Sequence, residues 1–255
     1  WPLRAVLYGV AVLGLIGLIA WTQREDIARN LIGNELERQG IKGRYDIESI
    51  GVGRQTVRNL VLGDPARPDA TIDRLSLDIS GGLFGLSIDR VIVEGLRGYG
   101  RLDKGRVSFG TLDKLIYTDS QEPFSLPRLD LTLRDARLRI DSPYGTMGIK
   151  ADGSGNLRGG FEGNVAAIGA RLAYQDCVID RPSLFGTIVI ADQRPSFRGP
   201  LRFSGAACEA NGLAIGSSSV ALRAGANAAL DRFDGAIVPA SGAIRAGEFA
   251  SDGLT

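Results

Sequence analysis

TIDRLSLD at 71–78 and SIDRVIVE at 87–94 share one pattern, with apolar residues at the second, fifth and seventh positions and an acid at the eighth. Apolar residues at every second position mark a strand with one buried face. Two hairpin-sized units in succession predict a sheet that keeps adding similar strands. TVRNLVLG at 56–63 matches the unit again, with Leu60 and Leu62 aligned to Leu75 and Leu77. What covers the apolar face of such a sheet becomes the deciding question, because no amphipathic helices follow to cover it.

The alternation runs outward from these copies. YDIESI after Gly43 reads as a strand, and GYGRL and GRVSFG follow the second copy. TLDKLIY at 111–117 predicts a brief helical turn, and the polar, Pro-containing TDSQEPFSLP reads as a linker. LDLTL at 129–133 then puts three leucines on one face, and ARLRID puts Leu138 and Ile140 opposite Arg137 and Arg139. Later runs, from GTMGIKADG through GTIVIAD to GAIRAGEF, continue with turn signals roughly every eight to twelve residues, which predicts consecutive antiparallel strands. The predicted sections are a first β section at 43–117, a linker at 118–128 and a continuing β section at 129–255. An antiparallel sheet buries one face against something. A sandwich, a barrel and an open trough all satisfy that demand, and the near-repeat favours an elongated arrangement over a compact Greek key.

Composition agrees with a mainly β chain. The 255 residues include 35 glycines, one methionine and no histidine, and the net charge is +1. Many glycines suit tight turns with positive φ. The balanced charge argues against a nucleic-acid binder. Without histidine there is no imidazole ligand or general base, which removes common routes to hydrolysis.

AVLYGVAVLGLIGLIAW, from Ala5 to Trp21, carries no charge and as a helix spans roughly 25 Å. Arg4 and Trp21 sit where interfacial anchors belong, so residues 1–21 are predicted as a transmembrane anchor. A cleaved signal peptide fits less well, because Ala20 is paired with Leu18 and followed by Trp21. Arg4 favours a cytoplasmic N-terminus, with the bulk beyond the membrane. In the section 22–42, Ile27, Leu31, Ile32 and Leu36 recur at helical spacing and Gly40 follows as a stop, predicting a short amphipathic helix. The start at Trp1 and the end in GEFASDGLT read as an excerpt of a longer polypeptide. Cys177 and Cys208 either form one disulfide between neighbouring strands or stay unpaired; their spacing leaves both open.

Other candidate motifs reduce to turns and surface. GLRGYG and DGSGNLRGG do not match a phosphate-binding glycine pattern, and no GxxxxGK[ST] is present. Asp73, Asp89, Asp130 and Asp152 stand singly, without calcium-loop spacing, so no metal site, catalytic residue or cofactor is predicted. The recurring Asp-Arg at 73–74 and 89–90 is expected to pair across neighbouring strands.

The anchor, the short helix and the stretch VRNLVLGDPARPDATIDRLSLDIS, followed by IDRVIVEGLRGYGRL and GRVSFGTLDKLI, resemble the start of AsmA-like proteins. Within that superfamily the chain is most similar to the YdbH-like and TamB-like bridging proteins of Gram-negative envelopes, and LDLTLRDARLRIDSPYGTMGIKADGSGNL at 129–157 echoes their later strands. The resemblance implies a periplasmic β-sheet curled into a taco-like groove with an apolar interior. It implies anchoring in the inner membrane, a reach toward the outer membrane, and phospholipid as cargo. A docking partner in the periplasm or outer membrane would meet the far end. Leu75, Leu77, Ile79, Val91, Val93, Leu129, Leu131, Leu133, Leu138 and Ile140 would then line the groove, although the same residues read alone describe an ordinary sandwich core. The alternative function is a scaffold that assists outer-membrane protein assembly, with an edge strand pairing to a partner.

Overall fold

The computed structural model describes residues 40–116 and 125–251, apart from 52, 83–84, 104–105, 230–231, 242–243 and 247–248, together with Leu36 and Arg38. The expected anchor at 1–21 and most of the short helix lie outside the described residues. No described helix is long and apolar enough to cross a membrane.

Strands β1 (Gly43–Ile50), β2 (Arg54–Asp64), β3 (Arg67–Gly82), β4 (Gly85–Glu94), β5 (Arg97–Asp103) and β6 (Arg106–Ser108) lead into a 3₁₀ turn at 110–112 and one helical turn, α1 (Asp113–Ile116). Next come β7 (Asp130–Ser142), β8 (Gly145–Asn156), β9 (Phe161–Gly169), β10 (Arg171–Tyr174), β11 (Cys177–Asp180) and β12 (Ser183–Ala191). The remainder is β13 (Arg194–Phe203), β14 (Gly205–Cys208), β15 (Leu213–Ile215), β16 (Ser218–Ala226), β17 (Phe233–Ser241), β18 (Ile244–Ala246) and β19 (Phe249–Ser251). Thirteen strands form one large, curled, mostly antiparallel sheet in the order β1-β2-β3-β4-β7-β8-β9-β12-β13-β16-β17, with β5 and β6 attached beside β3 and β7. The six short strands β10-β11-β14-β15-β18-β19 form a second sheet.

The expectation of antiparallel neighbours throughout fails at one place. β7 runs parallel to β4, pairing Val91 with Leu131, and parallel to β5, pairing Gly98 with Leu138. β4 and β5 together act as one long strand interrupted at Gly95 and Leu96. A matching irregularity on β7 holds Asp135 at φ 49°, and there the Gly95 N–H donates to the Arg134 carbonyl at 2.9 Å and the Arg137 N–H to that of Leu96 at 2.7 Å. Parallel neighbours cannot be joined by a hairpin, so the chain must make a long return between β5 and β7. That return carries Phe109, Leu112 and Leu126 into the buried core. A Cβ added to Gly100 would lie 2.9 Å from Cε1 of Phe109, so the ring rests on the sheet where glycine leaves room. The Asp69 carboxylate fixes the start of the return, accepting from the Thr111 N–H at 2.8 Å and its hydroxyl at 2.6 Å.

Gly40 does end a helix, as its position suggested. Its φ is 62°, and the Ile41 N–H donates to the Leu36 carbonyl at 2.9 Å, the bond of a Schellman motif. Both Leu36 and Ile41 are buried in the core against the first strands.

The two quoted copies pair with each other antiparallel, aligning Arg74 with Glu94 and Asp78 with Arg90. The arginine of each copy therefore faces the eighth-position acid of the other, and Asp73 and Asp89 are not its partners. Two ion-pair ladders cross the outer face as a result. One joins Glu48 to Arg58 at 2.6 Å and to Arg74 at 2.7 Å, then Arg74 to Glu94 at 3.9 Å and Glu94 to Arg134 at 2.6 Å. The other joins Arg54 to Asp78 at 2.9 Å, Asp78 to Arg90 at 3.8 Å and Arg90 to Asp130 at 3.9 Å.

Hydrogen bonding from Arg54, aided by the charges of Arg54 and Arg90 and opposed by burial, holds the Asp78 carboxyl below the usual range. For Glu48 the desolvation that raises its pKa is outweighed by hydrogen bonds from Arg58 and Arg74, and the net direction is again down. Both folded pKa values thus lie below the unfolded ones, so the ladders stabilise above about pH 4 and lose that contribution as pH falls through the folded values. Urea midpoints measured from pH 7 downward should drop in this window, and the drop should shrink in Asp78→Asn. An equal drop in the variant would show that other carboxylates dominate. Phe109→Ala, which empties the contact over Gly98 and Gly100, should cost about 3–5 kcal/mol in the same measurement.

Candidate functional site

The inner face of the large sheet changes character at β8. On the strands before it, Leu75, Leu77, Ile79, Val91, Val93, Leu129, Leu131, Leu133 and Ile140 are buried in one cluster. Leu138 is half-buried and packs against that cluster. The structure thus brings all ten residues nominated from the sequence together. Nine of them form a closed core with Leu36, Ile41, Phe109, Leu112 and Leu126.

From β8 onward most of the same face is open, although Phe161 and Ile190 at one margin stay sealed in the core with Leu157. Register pairs Leu138 with Ile149, Ile149 with Ala167, Ala167 with Leu184, Leu184 with Leu201 and Leu201 with Val220. This unbroken apolar row crosses β7, β8, β9, β12, β13 and β16, about 24 Å at the usual strand spacing. Each of its side chains is half-buried, neither packed away nor fully wet. A second row beside it runs from Ala151 through Val165 and Gly186 to Gly199, Leu222 and Ile237, and Ile237 is 65% exposed. A third contains Gly163, Ile188, Phe197 and Ala224. None of these positions is charged. Glycines here let rings lie flat on the sheet: a Cβ on Gly186 would sit 2.6 Å from Cζ of Phe197, and one on Gly153 would sit 2.7 Å from Cζ of Phe161.

The face continues past a crease. At Gly169 and Arg181 the long hairpin β9–β12 bends, with the Arg181 N–H donating to the Ala170 carbonyl at 2.9 Å and the Gly169 N–H to that of Pro182 at 2.9 Å. A Cβ on Gly169 would lie 3.6 Å from Cδ2 of Leu172, so the second sheet's apolar side adjoins the inner face. On that side Leu172, Ile179, Ala206 and Ile215 pair in succession and are half-buried. The Cys177–Cys208 disulfide, the outcome the sequence left open, joins β11 to β14 on the same side. Tyr144 and Tyr174 meet edge to face at 5.3 Å and tie the β7–β8 turn to β10.

Chemically, this arrangement offers a long uncharged surface for hydrocarbon. Among the described residues no group of His, Cys, Asp or Glu is placed to hold a metal ion. The family model for YdbH-like proteins, described as intermembrane phospholipid transport protein YdbH, matches residues 11–252. The chain belongs to the YdbH-like family. Comparison with curated proteins and with solved structures gives no match. YdbH-like proteins are a lipid-transport family and not an enzyme family, with phospholipid as the implied cargo and the cell envelope as the implied place of work.

Sequence reasoning named the dense apolar positions between Leu75 and Ile140 and, of the open rows of this YdbH-like chain, only Leu138. The signal was present in GTIVIAD, PLRF and VALRAG, which alternate in the same way. Their apolar residues stand singly among Gly, Ala and Ser, so they looked like weak strands instead of a lining.

The disulfide closes a loop with a sequence separation of 31, and such a closure is typically worth about 2–4 kcal/mol. The double variant Cys177→Ser, Cys208→Ser should speed amide hydrogen exchange in β10, β11, β14 and β15 while leaving β2, β3 and β7 protected. Uniform acceleration across both sheets would show instead that the bridge supports the whole fold.

Proposed function

We propose that the chain is an inner-membrane-anchored periplasmic bridge that passes phospholipid toward the outer membrane along the open inner face of its sheet. The observation that carries this reading is the uncharged, half-buried row from Leu138 to Val220. An acyl chain in water costs about 0.8 kcal/mol per CH₂, on the order of 12 kcal/mol for a sixteen-carbon chain. A continuous apolar row lowers that cost at every step, while the polar headgroup remains in water. The buried cluster at Leu75 to Ile140 serves as the packed start of the groove, and Leu138 stands where lining begins. The uncharged segment 5–21 supplies the anchor. A disulfide suits the oxidising periplasm. Any direction of flow comes from partners at the ends, such as a docking protein at the outer membrane.

Photo-crosslinking probes at Leu184 and Leu222 should capture phospholipid in cells, whereas probes at the outward Arg198 and at the buried Leu131 should not. Lipid adducts at Arg198 equal to those at Leu184 would defeat the groove reading. Adducts to outer-membrane proteins in place of lipid would turn it toward the assembly scaffold.

A further inference from the structure

The outer face of β9, β12, β13, β16 and β17 carries a second apolar strip. A sheet with one apolar side ordinarily turns polar residues to the other. Here register sets Ala166 beside Phe185, and Pro200 beside Ala221, which itself faces Val238. Phe185 and Val238 are each 60% exposed, and Ile168, next along β9, is 63% exposed. Arginines flank the strip on both sides. Arg198 and Arg223 lie directly opposite one another in one flanking row, and Arg202 lies in the other between Ser183 and Ser219. Among the described residues no carboxylate forms an ion pair with any of the three. Like charges facing across strands are destabilising. The same sheet neutralises Arg74, Arg90 and Arg134 in its ladders, so leaving Arg198 and Arg223 unneutralised is a departure from its own pattern.

We propose that this outer strip is a docking surface for a partner protein that presents acidic side chains on both sides of an apolar ridge. Exposed Phe with Arg, and no Lys in the strip or its flanking rows beyond β8, is the composition of interface centres. The strip spans about 19 Å across five strands, which suits a reversible, salt-sensitive complex at the small end of protein interfaces. A bilayer is a poorer occupant. Sinking this rigid face into the headgroup region would carry down Glu162 and Asp152, which stand on the same outer face of β9 and β8. The strip lies on the opposite side of the sheet from the proposed lipid rows, so failure of either reading leaves the other standing.

The test uses two designed helical peptides that share a leucine face, one flanked by glutamates and one by lysines. The glutamate peptide should bind the full chain and the lysine peptide should not. Affinity should fall at least about tenfold in the double variant Arg198→Glu, Arg223→Glu and in Val238→Ser, which lies away from the sheet centre. The lysine peptide should gain binding to the double variant, while lipid capture at Leu222 stays unchanged. Equal binding of both peptides, or binding of neither, would overturn the proposal. So would binding to vesicles of equal parts phosphatidylcholine and phosphatidylglycerol that is lost in the same variants.

Discussion

One parallel pairing organises the molecule. Where β7 lies parallel to the joined β4 and β5, no tight turn can link the strands, and the chain must travel back before it can add β7. That journey brings Phe109, Leu112 and Leu126 into the core and leaves the residues around Val91 and Leu131 fully enclosed. After β7 every new neighbour in the large sheet is antiparallel and no second return is made. Among the described residues no returning segment lies on the row from Ile149 to Val220, which stays half-exposed, while Phe161 and Ile190 at its margin remain in the core. Closed core and open lining are thus two consequences of the same connectivity.

The two halves also differ in their charges. The first half owes its cross-strand ladders to a repeat that complements itself when turned antiparallel, Arg in one copy meeting the terminal acid of the other. These are exposed pairs, individually worth little, but they align the register that puts Leu75, Leu77, Val91 and Val93 on one side. The second half has no such repeat. Its arginines at 198, 202 and 223 face solvent without acids, and an apolar strip runs between them. The sheet there presents two largely apolar surfaces, an inner face of the kind hydrocarbon favours and an outer strip flanked by arginines.

The crease and the second sheet solve a further problem. Strands that bear one apolar face and extend indefinitely would present a broad, flexible flap. Bending the hairpins at Gly169 and Arg181 turns their ends into a separate small sheet, and the Cys177–Cys208 bridge locks two neighbouring hairpin ends together. Neighbouring hairpin ends are thereby tied together by covalent and backbone bonds at the margin of the large sheet.

The sequence by itself determined the class of structure and the side of each strand that is apolar. Period-two alternation, glycine turns and the missing helical layer lead to a β-sheet, and TIDRLSLD and SIDRVIVE specify which residues share a face because a one-residue slip would expose them all. The strand stretches at 57–116 and 129–157 that carried the family resemblance lie within the span that the YdbH-like family model matches. What only the tertiary structure decided is which apolar residues are sealed and which are open. Leu131 and Leu201 read alike in sequence, each an apolar position in a run of period-two alternation. One lies in the part of the sheet that the crossing segment closes and the other lies beyond it, and a contact between segments so far apart leaves no trace in the local pattern of either strand.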